Sequence, residues 1–357
     1  MARPLRYGTA LAVASLLPLA GCADPGPSDS GPAGSRAGTH AADAEAGAKS
    51  SRSTSPSPSP EPVDPASVGA DELGAVPVLM YHQIVQDPAS VYDRTPKAFR
   101  AELERLARED YVPVTAREFT GSRIDIPAGK HPVVLTFDDS TVSQLAFDGK
   151  GRVGSGTAVA ILRDVAAEHE GFRPVATFFV NGDPFAEPGG ERTLGWLHDH
   201  DFEIGNHTLR HTTLGTVSDA EVQRAIALNQ DAITDALPDV PVDSLALPNG
   251  SMPARDRLAV EGSSGGTAYR HAGVYLVGAN PAPSPFDKDF DPGAIPRIRS
   301  QGPTGPDADF ASTAWLNKLR DGTVDRYTSD GDPERISFPA AKKAELDGAL
   351  ADRAQPY

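Results

Sequence analysis

The chain has 357 residues, a formal charge of −16 and a single cysteine, so a disulfide framework within one copy is excluded. With 33 Lys+Arg against 49 Asp+Glu it lacks the basic footprint that phosphate backbones attract, and nucleic acid is not an expected partner. No apolar run beyond the first 25 residues approaches the roughly 18 residues of a membrane span, and the length suffices for one large α/β barrel or two ordinary domains.

The N-terminus carries Arg3 and Arg6 followed by an apolar stretch from Thr9 to Ala20, the profile of an export signal. It ends in Leu19-Ala20-Gly21-Cys22, which resembles the bacterial lipobox, whose cysteine becomes the lipid-modified first residue of the mature protein. The alternative is an ordinary cleaved signal with a chance cysteine. The lipobox reading makes residues 1–21 a signal peptide and Cys22 a lipidation site, and places the protein on the extracytoplasmic face of the bacterial cell membrane. Removing Arg3 and Arg6 takes the charge from −16 to −16 − 2 = −18. Residues 22–72 are Ser, Pro, Ala and Gly with isolated charges, including Ser55-Pro-Ser-Pro-Ser-Pro60. Such a segment buries too little to fold and reads as a tether, or as variable sequence with no spacer role.

From residue 73 to 357 short β-branched or aromatic runs alternate with amphipathic stretches. Strands are expected at Val76 to Tyr81, Tyr111 to Val114, Pro132 to Phe137, Pro174 to Val180, Phe202 to Gly205, Ser244 to Leu247, Gly273 to Val277 and Ile295 to Ile298. Several are apolar on both faces, as buried parallel strands are. Helices are expected from Pro96, capped by Thr95 with Phe99, Leu103 and Leu106 on one face, and from Ser218, where Glu221 would complete a capping box above Val222, Ile226, Ile233 and Leu237. This alternation implies a parallel barrel or a doubly wound sheet. Phe147-Asp148-Gly149-Lys150-Gly151 reads as a turn or hairpin, with too few carboxylates for a strong calcium loop. The stretch from Asp307 to Tyr357 looks partly helical, with Phe310, Trp315 and Leu319 able to cover a barrel face.

Two constellations carry chemistry. Val133 to Phe137 is a buried strand that ends in Asp138-Asp139, and strand C-termini face the active site in parallel α/β folds. One acid there could bind a metal while the other acts as a base; a helix cap is the bland alternative. His207 and His211 lie at i and i+4, a spacing that on a helical turn would bring both imidazoles to one ion. A hydrogen-bonded surface pair is the competing reading.

Together these motifs resemble the polysaccharide deacetylases, the family 4 carbohydrate esterases, over most of residues 76–300. The resemblance runs through Val78 to His82, Thr136 to Asp139, Ala176 to Val180, Gly205 to His211 and Leu245 to Gly250. It implies a distorted parallel (β/α) barrel of seven or eight strands that uses one divalent metal, commonly zinc, to remove acetyl groups from an acetylated glycan. Carried over, it makes Asp138 the general base, makes Asp139, His207 and His211 the metal ligands, and assigns the backbone N–H of Asn249 to the oxyanion. The family's late Leu-x-His motif has no counterpart. A circularly permuted subgroup resembling the poly-N-acetylglucosamine deacetylases begins with a strand ending in Tyr-His, which assigns His82 as general acid; a core histidine is the other reading, and His271 the next candidate. The third motif, usually Arg-x-Pro-Tyr/Phe-Gly, reads Ala246-Leu247-Pro248-Asn249-Gly250. Its missing arginine has a candidate replacement in Arg297, which could equally be a surface salt-bridge residue. Ser140 stands where glycine is common. An O-acetyl esterase acting on xylan-like polymers and a weakly active carbohydrate-binding relic are the competing functions.

Overall fold

The structure, a computed structural model, describes residues 63–357. Cys22, the signal segment and the tether up to residue 62 lie outside the described residues. The chain enters through helix α1 (Pro65–Val68), which packs beside Gly129. Strand β1 (Val78–Tyr81), helix α2 (Pro96–Arg108), β2 (Tyr111–Val114), α3 (Ala116–Thr120), β3 (His131–Asp138), α4 (Ala158–Glu168) and β4 (Thr177–Val180) follow. Next come α5 (Glu191–His198), β5 (Glu203–Asn206), α6 (Asp219–Ala236), β6 (Ser244–Ala246) and α7 (Arg257–Val260). The chain continues through the hairpin of β7 (Glu261–Ser264) and β8 (Thr267–Arg270), then β9 (Gly273–Tyr275), β10 (Ile298–Arg299), α8 (Ser312–Arg320), β11 (Ile336–Phe338) and β12 (Ala354–Pro356).

The main sheet runs β10-β1-β3-β4-β5-β6-β9, with β2 also paired to β3, and every pairing is parallel. It curls until its ends meet: Ile295 N–H donates to Val274 O and Leu276 N–H to Ile295 O, each at 2.8 Å. The result is a distorted (β/α) barrel, the fold that the family resemblance implied and one of the two that the strand and helix alternation left open.

Alternation along each strand decides what faces the lumen. On β3, Val133, Leu135 and Phe137 join the cluster under α2, α4 and α5, so Val134, Thr136 and Asp138 point inward. On β1, Leu79 and Tyr81 join that same outer cluster, which turns the following His82 inward. Phe179 and Tyr275 fill the lumen with ring centroids 5.3 Å apart. Opposite them stands Gly205, where a Cβ would come within 2.6 Å of Phe179 and of Ser244 Oγ, so only glycine fits.

Four expectations need correction. Residues 65–72, placed in the tether, are built into the fold: Glu72 is buried and its Oε2 accepts from Ser337 N–H at 2.8 Å. Ser218 caps α6, but the carboxylate of Glu221 pairs with Arg224 at 2.7 and 2.8 Å instead of returning to the cap; the reciprocal box forms at Thr115 and Glu118. In the C-terminal stretch Leu316 and Leu319 are buried and Trp315 packs on the core, whereas Phe310 is 55% exposed and covers nothing. Residues 207–211 are a turn, not a helix. At the expected hairpin, Phe147 and Val153 do pair, and Asp148 spends its carboxylate on Lys150 N–H, Arg152 N–H and the Arg152 side chain.

Candidate active site

The register of β1 against β3 sets Tyr81 opposite Phe137, which brings His82 and Asp138 side by side at the C-terminal rim. His82 Nε2 lies 3.9 Å from Asp138 Oδ2. Gln144 ties the two together from behind, its Nε2 donating to His82 O at 2.8 Å and to Asp138 O at 2.6 Å. Neighbours on a strand point to opposite faces, yet Asp139 also reaches the cleft, because φ of 73° at Asp139 and 46° at Ser140 breaks the alternation. Aspartate tolerates that left-handed conformation better than most side chains.

Arg297 is fully buried and meets Asp138 through two parallel bonds, Nη1 to Oδ1 at 2.6 Å and Nη2 to Oδ2 at 2.7 Å. Its Nε donates to Leu276 O at 2.7 Å, and Nη1 also reaches Thr136 Oγ1 at 3.1 Å. Of the two readings the sequence left open, the exposed salt bridge is thereby excluded. Burial raises the Asp138 carboxyl, but Arg297 above all, with His207 and His82, outweighs it and holds the group well below the usual carboxylate range. At His82, burial lowers the imidazole and the Asp138 and Asp139 carboxylates only partly oppose it.

His207 follows β5 and is 1% exposed. Its Nδ1 faces Ala246 O at 2.9 Å, and since a carbonyl only accepts, Nδ1 carries the proton and Nε2 keeps its lone pair. That Nε2 is buried without a hydrogen-bond partner and looks toward Asp139 Oδ1 at 3.4 Å. His211 Nε2 lies 3.5 Å from the same oxygen, and its imidazole is lowered by burial and by His207. Left-handed Thr208 and His211 fold the 207–211 turn back on itself. Amides lock it: Asn181 Nδ2 donates to His207 O and Thr208 O at 2.7 Å each, and Asn206 Oδ1 accepts from Thr208 N–H at 2.8 Å and from Asn229 Nδ2 at 3.0 Å. Donor atoms of Asp139, His207 and His211 all lie within 4.8 Å of one another. Two imidazoles and a carboxylate, one imidazole holding an orphaned buried lone pair, suit a divalent cation such as zinc.

The remaining candidates are placed less closely. Asn249 sits at the C-terminal end of β6 with φ of 56°, exposed, its Nδ2 donating to Thr213 Oγ1 at 2.8 Å. His271 Nδ1 bonds Ala259 O at 2.6 Å just before β9 begins, so it lies at the opposite end of a strand from the rim and is no candidate acid. The sequence reading missed Gln144, which lies in the insertion after Asp139, and Tyr92, whose ring lies 4.9 Å from that of His82.

Residues 125–262 match the family model described as polysaccharide deacetylase. That segment of the chain is thus similar to the polysaccharide deacetylases. No curated protein sequence matches it. Among solved structures, the Streptococcus pyogenes deacetylase PplD in complex with acetate is similar at 19% identity and a TM-score of 0.51, over 68% of this chain and 97% of that one. IcaB from Ammonifex degensii is similar at 18% identity and 0.47, over 68% and 96%. A polysaccharide deacetylase from Bacillus cereus is similar at 18% and 0.48, over 63% and 64%. These likenesses concern the fold.

Proposed function

We propose that the protein is a metal-dependent hydrolase that removes N-acetyl groups from an extracellular or cell-wall amino-sugar polysaccharide. One observation carries the reading: three metal-type donors gathered within 4.8 Å stand beside a buried carboxylate held ionised by Arg297. A divalent cation bound by Asp139, His207 and His211 would supply Lewis acidity, acidifying a water and polarising a carbonyl. Asp138 takes the proton of the attacking water. Arg297 lowers its basicity while fixing both oxygens, so it can serve only for a water already made acidic. His82, lining the other side of Asp138, delivers a proton from Nε2 to the departing amine, and the backbone N–H of Asn249 faces the oxyanion. The position of β1 between β3 and β10 supports the permuted arrangement behind the His82 role.

The test is acetate release from peptidoglycan, chitooligosaccharides, poly-N-acetylglucosamine and acetylxylan, before and after chelation and with metal content measured. Release from an N-acetylated polymer that chelation abolishes and zinc restores is the expected result. Acetate from acetylxylan alone would make the protein an O-acetyl esterase, and glycan binding without acetate would make it a binding relic. The same reading anchors the protein through lipid on Cys22 to the extracytoplasmic face of the membrane. Cys22→Ala should then move it from the membrane to the soluble fraction with hydrolysis unchanged, and unaltered partition would end the anchoring proposal.

A further inference from the structure

Beside His82 the rim opens into a cleft of about 200 Å³ that the chemistry above does not use. Its apolar walls are Tyr92, Val277 and Phe310, and its polar wall is Arg299 with Asp307. Phe310 and Val277 are 55% and 38% exposed. Single exposed apolar residues are ordinary, but here they share one concavity with an aromatic ring and a charge pair. Arg299 follows Arg297 by two residues, so it points to the same face of the strand about 6.6 Å nearer the mouth. Its guanidinium lies 5.4 Å from the Tyr92 ring centre, its Nη2 approaches Asp307 Oδ2 at 3.4 Å, and its Nε is buried without a partner. A buried donor left unpaired is a group awaiting an acceptor.

We propose, on the deacetylase reading above, that this cleft binds an uncharged sugar ring adjacent to the one that is deacetylated. Three features select that chemistry. The volume is below the range of drug-sized pockets and suits one small ring. The cation and anion cancel, which disfavours a carboxylate or phosphate, whereas a hydroxyl both donates and accepts and so matches an arginine beside an aspartate. The C–H faces of a sugar ring carry slight positive charge and pack on the electron-rich faces of Tyr92 and Phe310. All five residues lie outside the 125–262 segment that matches the family model.

The test compares wild type, Phe310→Ala and Asp307→Ala on N-acetylglucosamine oligomers of one to five residues, with 4-nitrophenyl acetate as a substrate too small to reach the cleft. Phe310 is exposed, so its truncation leaves the fold intact, which circular dichroism checks. The expected result is a KM about three- to tenfold higher for the longer oligomers in both variants, with the monomer and the aryl ester unaffected. Identical kinetics at every length would overturn the proposal. So would tighter binding of a carboxylate-bearing oligomer than of the neutral one by the wild type. If wild type releases no acetate from any oligomer, the deacetylase reading fails separately, and calorimetric binding of the same oligomers decides the cleft: weaker binding by Phe310→Ala supports it, equal binding overturns it.

Discussion

At the C-terminal rim Asp138 is enclosed and ionised, because Arg297 meets both of its oxygens. At the base of the same barrel Glu72 is also buried but has no ion pair among the described residues; it accepts from Ser337 N–H at 2.8 Å and Tyr327 Oη at 3.1 Å. Burial, then the nearby Asp330, pushes its carboxyl up to about 8. Both carboxylates lose water on folding. What separates them is a guanidinium, which keeps the first an anion, while the second, without one, is largely protonated at neutral pH.

The largest effect should come from erasing that difference. Arg297→Met leaves Asp138 buried and unpaired, which should lower stability by about 3–5 kcal/mol and cut deacetylation by about 10²-fold or more. Arg297→Lys should not restore it, because an ammonium cannot make two parallel bonds. Chemical denaturation and acetate release read both quantities, and a stable, active Arg297→Met protein would erase the contrast.

His82→Ala tests the same rim by its chemistry. Loss of a positioned acid should reduce N-deacetylation by about 10²- to 10⁴-fold with metal content intact, while an activated acetate ester, whose leaving group needs no proton, falls much less. Equal loss on both substrates with loss of metal would make His82 structural.

The smallest effect belongs to the base. Glu72 is raised from 4.5 to about 8, so the folded state holds its proton more tightly than the unfolded state does. Its contribution is complete below about pH 4.5 and is lost as pH rises toward 8. Glu72→Gln cannot ionise, so its stability relative to wild type should improve by about 1–3 kcal/mol between pH 5 and 8. A pH-independent difference in Tm would show that Glu72 is already ionised in the fold.

The rim was easier to read in the sequence than the base. Barrel strands are buried on both faces, so runs such as Val133 to Phe137 stand out, and strand ends then point to Asp138, Asp139 and Arg297. The His207–His211 spacing pointed to two imidazoles that do come together, but through a different local structure, because left-handed Thr208 and His211 depend on Asn181, Asn206 and Asn229, which come together only in the fold. Gln144 and Tyr92 lie in polar connections with no periodicity. The hairpin of β7 and β8 did carry a signal, Gly265-Gly266, whose φ of 63° and 96° is what a two-residue hairpin turn requires. The base of the barrel joins segments more than 250 residues apart, Glu72 with Tyr327 and Ser337, and no local pattern announces such a meeting.

That meeting gives the molecule an orientation. Asp71 and Ala75 pair with Thr328 and Arg326, while Tyr327 O faces the ring of His131, the first residue of β3. The chain therefore enters the barrel at the strand N-termini, on the side away from the rim that carries Asp138 and His207. A tether attached there would pull from the side away from that rim. Under the anchoring proposed above, the mouth would look outward from the lipid surface, toward polymer in the wall rather than toward material lying flat on the bilayer.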